Sequence, residues 1–359
     1  PTRTRRQRQM CIRDRMSSKE IIKKVLSNNL TQSESASVMQ DIFMGKVADQ
    51  EIENFLTSLS SKGETSDELT GAVLAMRSSS LKVKLKSQDN LVDCCGTGGL
   101  GKSMMNISTA SAFVASAAEV KIAKHGNRSA TGKSGSADLL EAANVNLNIK
   151  PEEVAKCIEE IGIGFMFAPN FHPGMKYVMP ARKRIADKTI FNLLGPLTNP
   201  ANAKRQSLGV YDSKWIIPVA ETLRNLGSNK AMVFHSNDGL DEISSVDKTH
   251  VAELDEGKIK EYEIDPKTYD IHQKNFKDLQ IESPFDSLDL IKATLGNEDF
   301  KAGENIVSLN SAAVIYVSGI ARNFESALEI AIDAIKSGKA LKKLNELASF
   351  SNAFNESSE

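Results

Sequence analysis

The feature that most restricts how this chain can fold is the run Gly96-Thr97-Gly98-Gly99-Leu100-Gly101-Lys102-Ser103, set between an apolar stretch at 91–95 and small apolar residues at helical spacing over 107–118. Glycines let backbone N–H groups approach phosphate oxygens with no Cβ in the way, and the following helix turns its positive end toward the same point. Strand, glycine loop and helix in that order predict a parallel sheet covered by helices, with a ligand at the carboxyl ends of the strands. Taken literally, the eight residues also satisfy G-x-x-x-x-G-K-S, so a P-loop ATPase or kinase is a rival reading. Two features oppose it. The apolar strand at 231–234 runs into His235-Ser236-Asn237 before any acid that could hold a magnesium shell, and Asn106-Ile107-Ser108-Thr109 adds a polar cluster that a P-loop helix does not need.

Apolar residues at three- and four-residue intervals over 17–81 predict four short helices, with Thr31, Asp49 and Ser66 among their caps. From Lys86 onward, β-like runs at 91–95, 120–123, 163–168, 206–210 and 231–235 alternate with helical patterns at 107–118, at 137–143 and from Pro151. Another helical stretch covers 172–188, and helices over 310–320 and 326–347 close the chain. The lysine-rich stretch 256–279 shows no clear period. The fold class expected is α/β, with a small N-terminal helical domain and a larger α/β domain built on a mostly parallel central sheet with flanking helices.

Of the 359 residues, 40% are hydrophobic and 25% charged, which is enough to bury a large core and excludes global disorder. The net charge of −1 argues against nucleic acid as a partner, and no apolar run nears the ~20 residues that span a bilayer, so no membrane partner is expected either. Cys11, Cys94, Cys95 and Cys157 form neither a disulfide framework nor a metal-ligand spacing, which fits a reducing, cytoplasmic setting. Residues 1–15 hold six arginines and one aspartate in an otherwise lysine-rich chain. They read as translated sequencing-adapter DNA fused ahead of a start at Met16, and are expected to be non-native. Without them 39 basic and 45 acidic side chains remain, a net of −6, which weakens the nucleic-acid reading further.

Two more polar loops follow successive strands, Lys124-His125-Gly126-Asn127-Arg128 and Lys133-Ser134-Gly135-Ser136-Ala137-Asp138. With the first loop they suit a polyphosphate cradle better than three unrelated surface turns. Together with NISTA, FAPNFHPGMK, TIFNLLGPLTNPA and DGLDEIS, in this order, they resemble the anthranilate phosphoribosyltransferase family of nucleoside-phosphorylase-like transferases. The resemblance runs from about Ser17 to the C-terminal helices. It implies transfer of the phosphoribosyl group from phosphoribosyl pyrophosphate to the amine of anthranilate in tryptophan biosynthesis, with Mg2+ as cofactor and a homodimer as the assembly. It also implies a helical domain over 16–84 to which 170–190 returns, and an α/β domain over 85–169 and 191–359. The rivals are the P-loop reading and a drifted, non-catalytic paralogue of the same fold.

The resemblance carries over residue by residue. Phosphoribosyl pyrophosphate would be held by Gly96, Gly99, Asn106, Ile107, Ser108, Thr109 and Lys124, and by Asn127, Arg128, Ser129, Gly132 and Ser136. Adjacent acids are hard oxygen ligands, and Asp241 and Glu242, with Ser108, match the metal site. Anthranilate would meet Gly96, His125, Asn127, His172, Gly195 and Pro196, with Arg182 for its carboxylate, while Lys183 and Arg184 read as an exposed basic face. His125 and Asn127 would position substrate, and no general base is assigned. The pattern breaks at Leu100, on the donor side, where relatives carry Asp, and at Met104, where a hydroxyl is common. Because an apolar side chain cannot replace a polar contact, Leu100→Asp is expected to lower the donor KM or the magnesium requirement and to leave the anthranilate KM alone. Steady-state titration of donor and metal checks this, and an unchanged donor KM and metal optimum would count against it.

Overall fold

The computed structural model describes residues 16–98, 103–129 and 132–356. The chain separates into two compact units, one of the residues up to Ser79 with Pro173–Leu194, the other of Ser80–His172 and Gly195–Glu359. The larger unit takes in residues 80–84, ahead of the expected border at 85. Leu81 N–H bonds the Phe171 carbonyl at 2.9 Å and Val83 N–H that of Pro200 at 3.2 Å, both within that unit.

The helical unit opens with α1 (Ser18–Lys24), α2 (Gln32–Phe43), α3 (Asp49–Lys62) and α4 (Ser66–Ser79). Thr31 caps α2 as expected. Its hydroxyl accepts the Glu34 N–H, and the Glu34 carboxylate accepts the Thr31 N–H at 2.9 Å. The other two caps are corrected. Asp49 is the first helical residue, favoured there by the positive end of the helix, and Thr65 rather than Ser66 accepts the Glu68 N–H. Glu68 is fully buried, yet its carboxylate accepts from Leu30 N–H at 2.8 Å, Thr65 N–H at 2.9 Å and Lys62 Nζ at 2.9 Å. The expected helical stretch at 172–188 is shorter in fact, a 3-10 turn at Pro173–Tyr177 followed by a helix at Met179–Arg184.

In the larger unit the parallel strands are β1 (Leu91–Gly96), β2 (Lys121–Gly126), β3 (Ile163–Phe167), β4 (Arg205–Gly209) and β5 (Lys230–Ser236), joined by helices that include α5 (Ile107–Ala117), α6 (Ser136–Ala142), α7 (Pro151–Ile161) and α8 (Ile216–Asn225). The order is β3-β2-β1-β4-β5, extended by two antiparallel strands, β6 (Thr249–Asp255) and β7 (Lys258–Ile264). Successive strands add outward from β1 on one side and then from β4 on the other. The switch point, where ligands of such sheets bind, is therefore the β1/β4 crevice. The β6/β7 hairpin is a feature the sequence reading left unassigned. Its turn is Glu256-Gly257, with φ of 45° and 80°. Both central residues have positive φ, as a tight hairpin requires, but Glu is an uncommon residue for that position.

The chain ends in α9 (Pro284–Leu295), α10 (Lys301–Ser318), α11 (Phe324–Lys336) and α12 (Lys339–Glu356). The helix expected at 310–320 is thus the end of a longer one. The one expected at 326–347 is two helices, broken at Gly338 with φ 68°.

In the helical unit Gly71 of α4 is buried against α2, where an added Cβ would strike the Gln32 carbonyl and the Ser35 side chain. Alanine normally favours a helix over glycine by ~1 kcal/mol. Here the collision with backbone reverses the sign, and Gly71→Ala is expected to destabilise by about 2 kcal/mol. Denaturant unfolding measures it, and a stabilised variant would contradict the packing described.

Candidate active site

Gly96 and Gly209 end β1 and β4 side by side in register. A Cβ on Gly96 would run into the Asp241 carboxylate, and one on Gly209 into the Asp241 backbone. The two glycines therefore let the acidic loop close onto the mouth of the crevice. Gly98, at φ 66°, donates its N–H to Asp241 Oδ2 at 2.7 Å. Asp238 shapes this loop by accepting from Ser236 Oγ at 2.7 Å and from Leu240 N–H at 3.3 Å. Asn310 of α10 pins its far end, accepting from Ile243 N–H at 2.8 Å and donating to the Ile243 carbonyl at 2.9 Å. The reading of the sequence assigned a role to neither Asp238 nor Asn310. Asp238 lies in the same acidic run, but nothing near Asn310 in sequence signals its reach.

Glu242 accepts the Ser108 N–H at 3.1 Å, at the N-terminus of α5. Burial, and then the neighbouring Asp241, push its carboxyl up to about 8, against the pull of Lys124 and the Ser108 N–H. Lys124 is itself 3% exposed. It donates to the Cys94 carbonyl at 2.6 Å and lies 3.4 Å from Ser108 Oγ. A carboxyl raised in this way beside a second acid marks a site short of positive charge, so the donor set of Asp241, Glu242 and Ser108 fits a hard divalent cation that also takes substrate oxygens. Thr109 Oγ1 and Thr97 Oγ1 are buried with no hydrogen-bond partner among the described residues, so each can serve a ligand oxygen.

Other expected donor ligands fall into two groups. Asn106 precedes α5 and bonds Ser134 twice, Nδ2 to the carbonyl at 3.0 Å and Oδ1 from the hydroxyl at 2.7 Å. Asn127 accepts through its carbonyl from Ala137 N–H and Ser136 Oγ, while a Cβ on Gly126 would strike that Oγ. Ser129 N–H and Gly135 N–H both donate to Asp138 Oδ2, at 2.9 and 2.8 Å, and Gly132 N–H donates to Ser129 Oγ at 2.7 Å. Ile107 has its side chain in the apolar core, so only its backbone is available. Arg128 is bound to the carboxylates of Glu141 and Asp138, and phosphate would have to compete with both. Gly99 and Leu100 lie outside the described residues.

The helix does not begin where a P-loop needs it. Its helix would begin at Ser103, whereas residues 103–105 are extended and Met104 forms an antiparallel bridge to Gln280. The helix starts only at Ile107.

On the acceptor side, two buried histidines meet through their Nε2 atoms at 3.1 Å. Gly195 O lies 3.1 Å from His125 Nδ1. A carbonyl only accepts, so His125 carries its proton on Nδ1, and His172 must supply the Nε2–H of the pair. Burial lowers His125 to about 4 and His172 to about 3, the latter also by its neighbour, so both are neutral. Asp93, fully buried in β1 and pushed up to about 6 by burial, accepts the His125 backbone N–H at 3.2 Å. The Pro196 carbonyl accepts from Gln206 Nε2 at 2.8 Å. Arg182 belongs to the helical unit, half-buried with its guanidinium 5.9 Å from the Phe191 ring centre and no carboxylate partner among the described residues. Lys183 and Arg184 beside it are exposed, and Arg184 pairs with Glu53 at 2.7 Å.

Paired strand-end glycines beside two acids at a sheet switch point, and a helical unit drawn from two stretches of chain, fit a transferase of activated phosphorylated substrates. The family model "Glycosyl transferase family, a/b domain" matches residues 88–341, and "Glycosyl transferase family, helical bundle domain" matches 19–80. Anthranilate phosphoribosyltransferase of Marinomonas sp. is 50% identical over 94% of this chain and 97% of its own length. That of Hydrogenovibrio crunogenus is 48% identical over 91% and 96%. The crystal structure of the Thermus thermophilus enzyme superposes with a TM-score of 0.88 at 36% identity, covering 92% of this chain and 99% of that one. The chain belongs to this glycosyl transferase family, in its anthranilate phosphoribosyltransferase branch.

The histidine pair has a pH signature. The unfolded chain protonates both rings below about 6.5, the folded chain only near 4 and 3. Their contribution to stability is therefore complete above pH 6.5 and is lost as pH falls toward 4. Asp93, raised from 3.8 to about 6, contributes with the opposite sign over that interval. In a 1H–15N NMR titration both rings should stay neutral down to about pH 5, with protons on His125 Nδ1 and His172 Nε2. A ring titrating near 6.5 would refute the arrangement.

Proposed function

We propose that this chain transfers the phosphoribosyl group of phosphoribosyl pyrophosphate to the amino group of anthranilate, forming N-(5-phosphoribosyl)anthranilate and pyrophosphate in tryptophan biosynthesis. The observation that carries it is the closure of the Asp241-Glu242 loop onto Gly96, Gly98 and Gly209 beside Lys124 and the N-terminus of α5. That is where a pyrophosphate leaving group and its cation would be held. The C1–oxygen bond breaks toward pyrophosphate, the amine nitrogen bonds C1, and the nitrogen gives up a proton. Catalysis needs charge stabilisation and positioning more than a strong base.

Asp241, Glu242 and Ser108 would hold Mg2+, which when bound offsets the charge of the pyrophosphate oxygens. The Saccharomyces cerevisiae enzyme, 24% identical with a TM-score of 0.85, has been solved in complex with PRPP and Mg. Lys124, the N–H groups of the first turn of α5 and the two unpartnered threonine hydroxyls supply further donors. Arg182 is assigned to the carboxylate of anthranilate, since it is half-buried with no acid beside it among the described residues. Neutral His125 and His172 offer a fixed, uncharged surface to an aromatic ring and are given no proton-transfer role. Exposed Leu26, Met44 and Leu74 on the helical unit support a homodimer through that unit. No helix among the described residues is long and apolar enough to cross a membrane, and the free, buried Cys94, Cys95 and Cys157 support a reducing, cytoplasmic setting.

The test is the loss of anthranilate fluorescence when the purified protein is mixed with phosphoribosyl pyrophosphate and magnesium. Loss is expected to require both, to stop on chelation, and not to occur when ATP replaces the donor. Folded protein that gives no loss across a wide magnesium range would overturn the reading and favour a drifted paralogue.

A further inference from the structure

The geometry points to Ser287, on α9 and outside every motif that suggested the function, as a positioning residue for the donor, acting through Asn106. The inference rests on the donor role proposed for Asn106. Residues 103–106 leave the glycine loop as an extended segment and lie along 279–281. Met105 N–H donates to the Leu279 carbonyl at 2.9 Å, Ile281 N–H to the Ser103 carbonyl at 3.1 Å, and Met104 bridges Gln280 between them.

Ser287 completes this strap. Its hydroxyl accepts the Asn106 N–H at 3.0 Å and donates to Asn106 Oδ1 at 2.7 Å. Ser134 Oγ donates to the same Oδ1, and Asn106 Nδ2 donates to the Ser134 carbonyl. Oδ1 therefore has both lone pairs filled, the amide cannot flip, and one Nδ2 hydrogen remains without a partner among the described residues. Ser287 is fully buried. A hydroxyl in the first turn of a helix commonly serves that helix, but this one spends both its donor and its acceptor on a residue 181 positions away. Asn106 is thereby held as a donor of fixed direction beside the start of α5, and the two flanks of the cradle, 103–106 and 133–134, lean on one support. The Lys133–Glu282 ion pair at 3.1 Å adds a second tie to the same stretch.

Ser287→Ala is expected to raise the KM for phosphoribosyl pyrophosphate ~10-fold, the size of one lost hydrogen bond, and to leave the KM for anthranilate and kcat near wild type. Thr294→Ala is the control. Thr294 is equally buried on the same helix, but its hydroxyl bonds the Leu290 carbonyl within the helix. It should lower the melting temperature without moving the donor KM. If Ser287→Ala does not fold, Ser287→Cys keeps the volume with a weaker donor and acceptor and should shift the donor KM in the same direction. Equal effects of the serine and threonine variants on the donor KM, or an unchanged donor KM in a folded Ser287 variant, would overturn the proposal. Failure of wild-type protein to bind phosphoribosyl pyrophosphate with magnesium in calorimetry would instead overturn the transferase reading, and this proposal with it.

Discussion

The larger unit depends on one close approach, that of the Asp241 segment to the paired ends of β1 and β4. The sheet supplies the place by reversing its strand order there, and Gly96 and Gly209 supply the room. A side chain on either would drive the acidic loop off the crevice, and Asp241 and Glu242 would lose their relation to Lys124 and α5. The approach is held from behind as well. Asp238 closes the turn and Asn310 grips Ile243 through both of its backbone groups. The loop is thus fixed at both ends, and placing two adjacent, half-buried acids beside one ammonium is tolerable if a cation completes the balance.

The acceptor side is built on the opposite electrostatic plan. His125 and His172 are kept neutral by burial, and the Gly195 carbonyl selects their tautomers by way of a single acceptor. A charged imidazole there would lie close to Lys124. In the proposed function, neutral rings would offer an uncharged surface to an aromatic acid. In the proposed reaction, charge would be gathered where pyrophosphate leaves and withheld where the amine attacks.

Features written in short-range sequence were legible. The alternation of strand-like and helical runs, the Thr31 capping box and the Asp241-Glu242 pair all have local causes, namely periodicity, a hydroxyl three residues before an acid, and two acids after a glycine turn. Features that depend on distant partners were not. Glu256-Gly257 makes a tight turn although Glu rarely takes positive φ, so the β6/β7 hairpin carried no signal. Residues 326–347 keep helical spacing across Gly338, whose left-handed φ breaks the helix. Asp93 reads as one residue of an apolar strand, and only the fold shows it accepting from the His125 backbone. Arg128 reads as a phosphate ligand, and only the fold shows that Glu141 of α6 pairs with it.

The P-loop match fails for the same physical reason. A glycine loop followed by a lysine and a hydroxyl binds phosphate only if the helix begins at once, so that its first N–H groups converge on the anion. Here Ser103 to Met105 are drawn into a bridge with residues 279–281, which delays the helix to Ile107 and brings Asn106, Ser108 and Thr109 to its start. The lysine found beside that helix start is Lys124 on β2, buried against Ser108. One strand of tertiary pairing, invisible in the eight residues themselves, decides which side chains stand at the start of the helix.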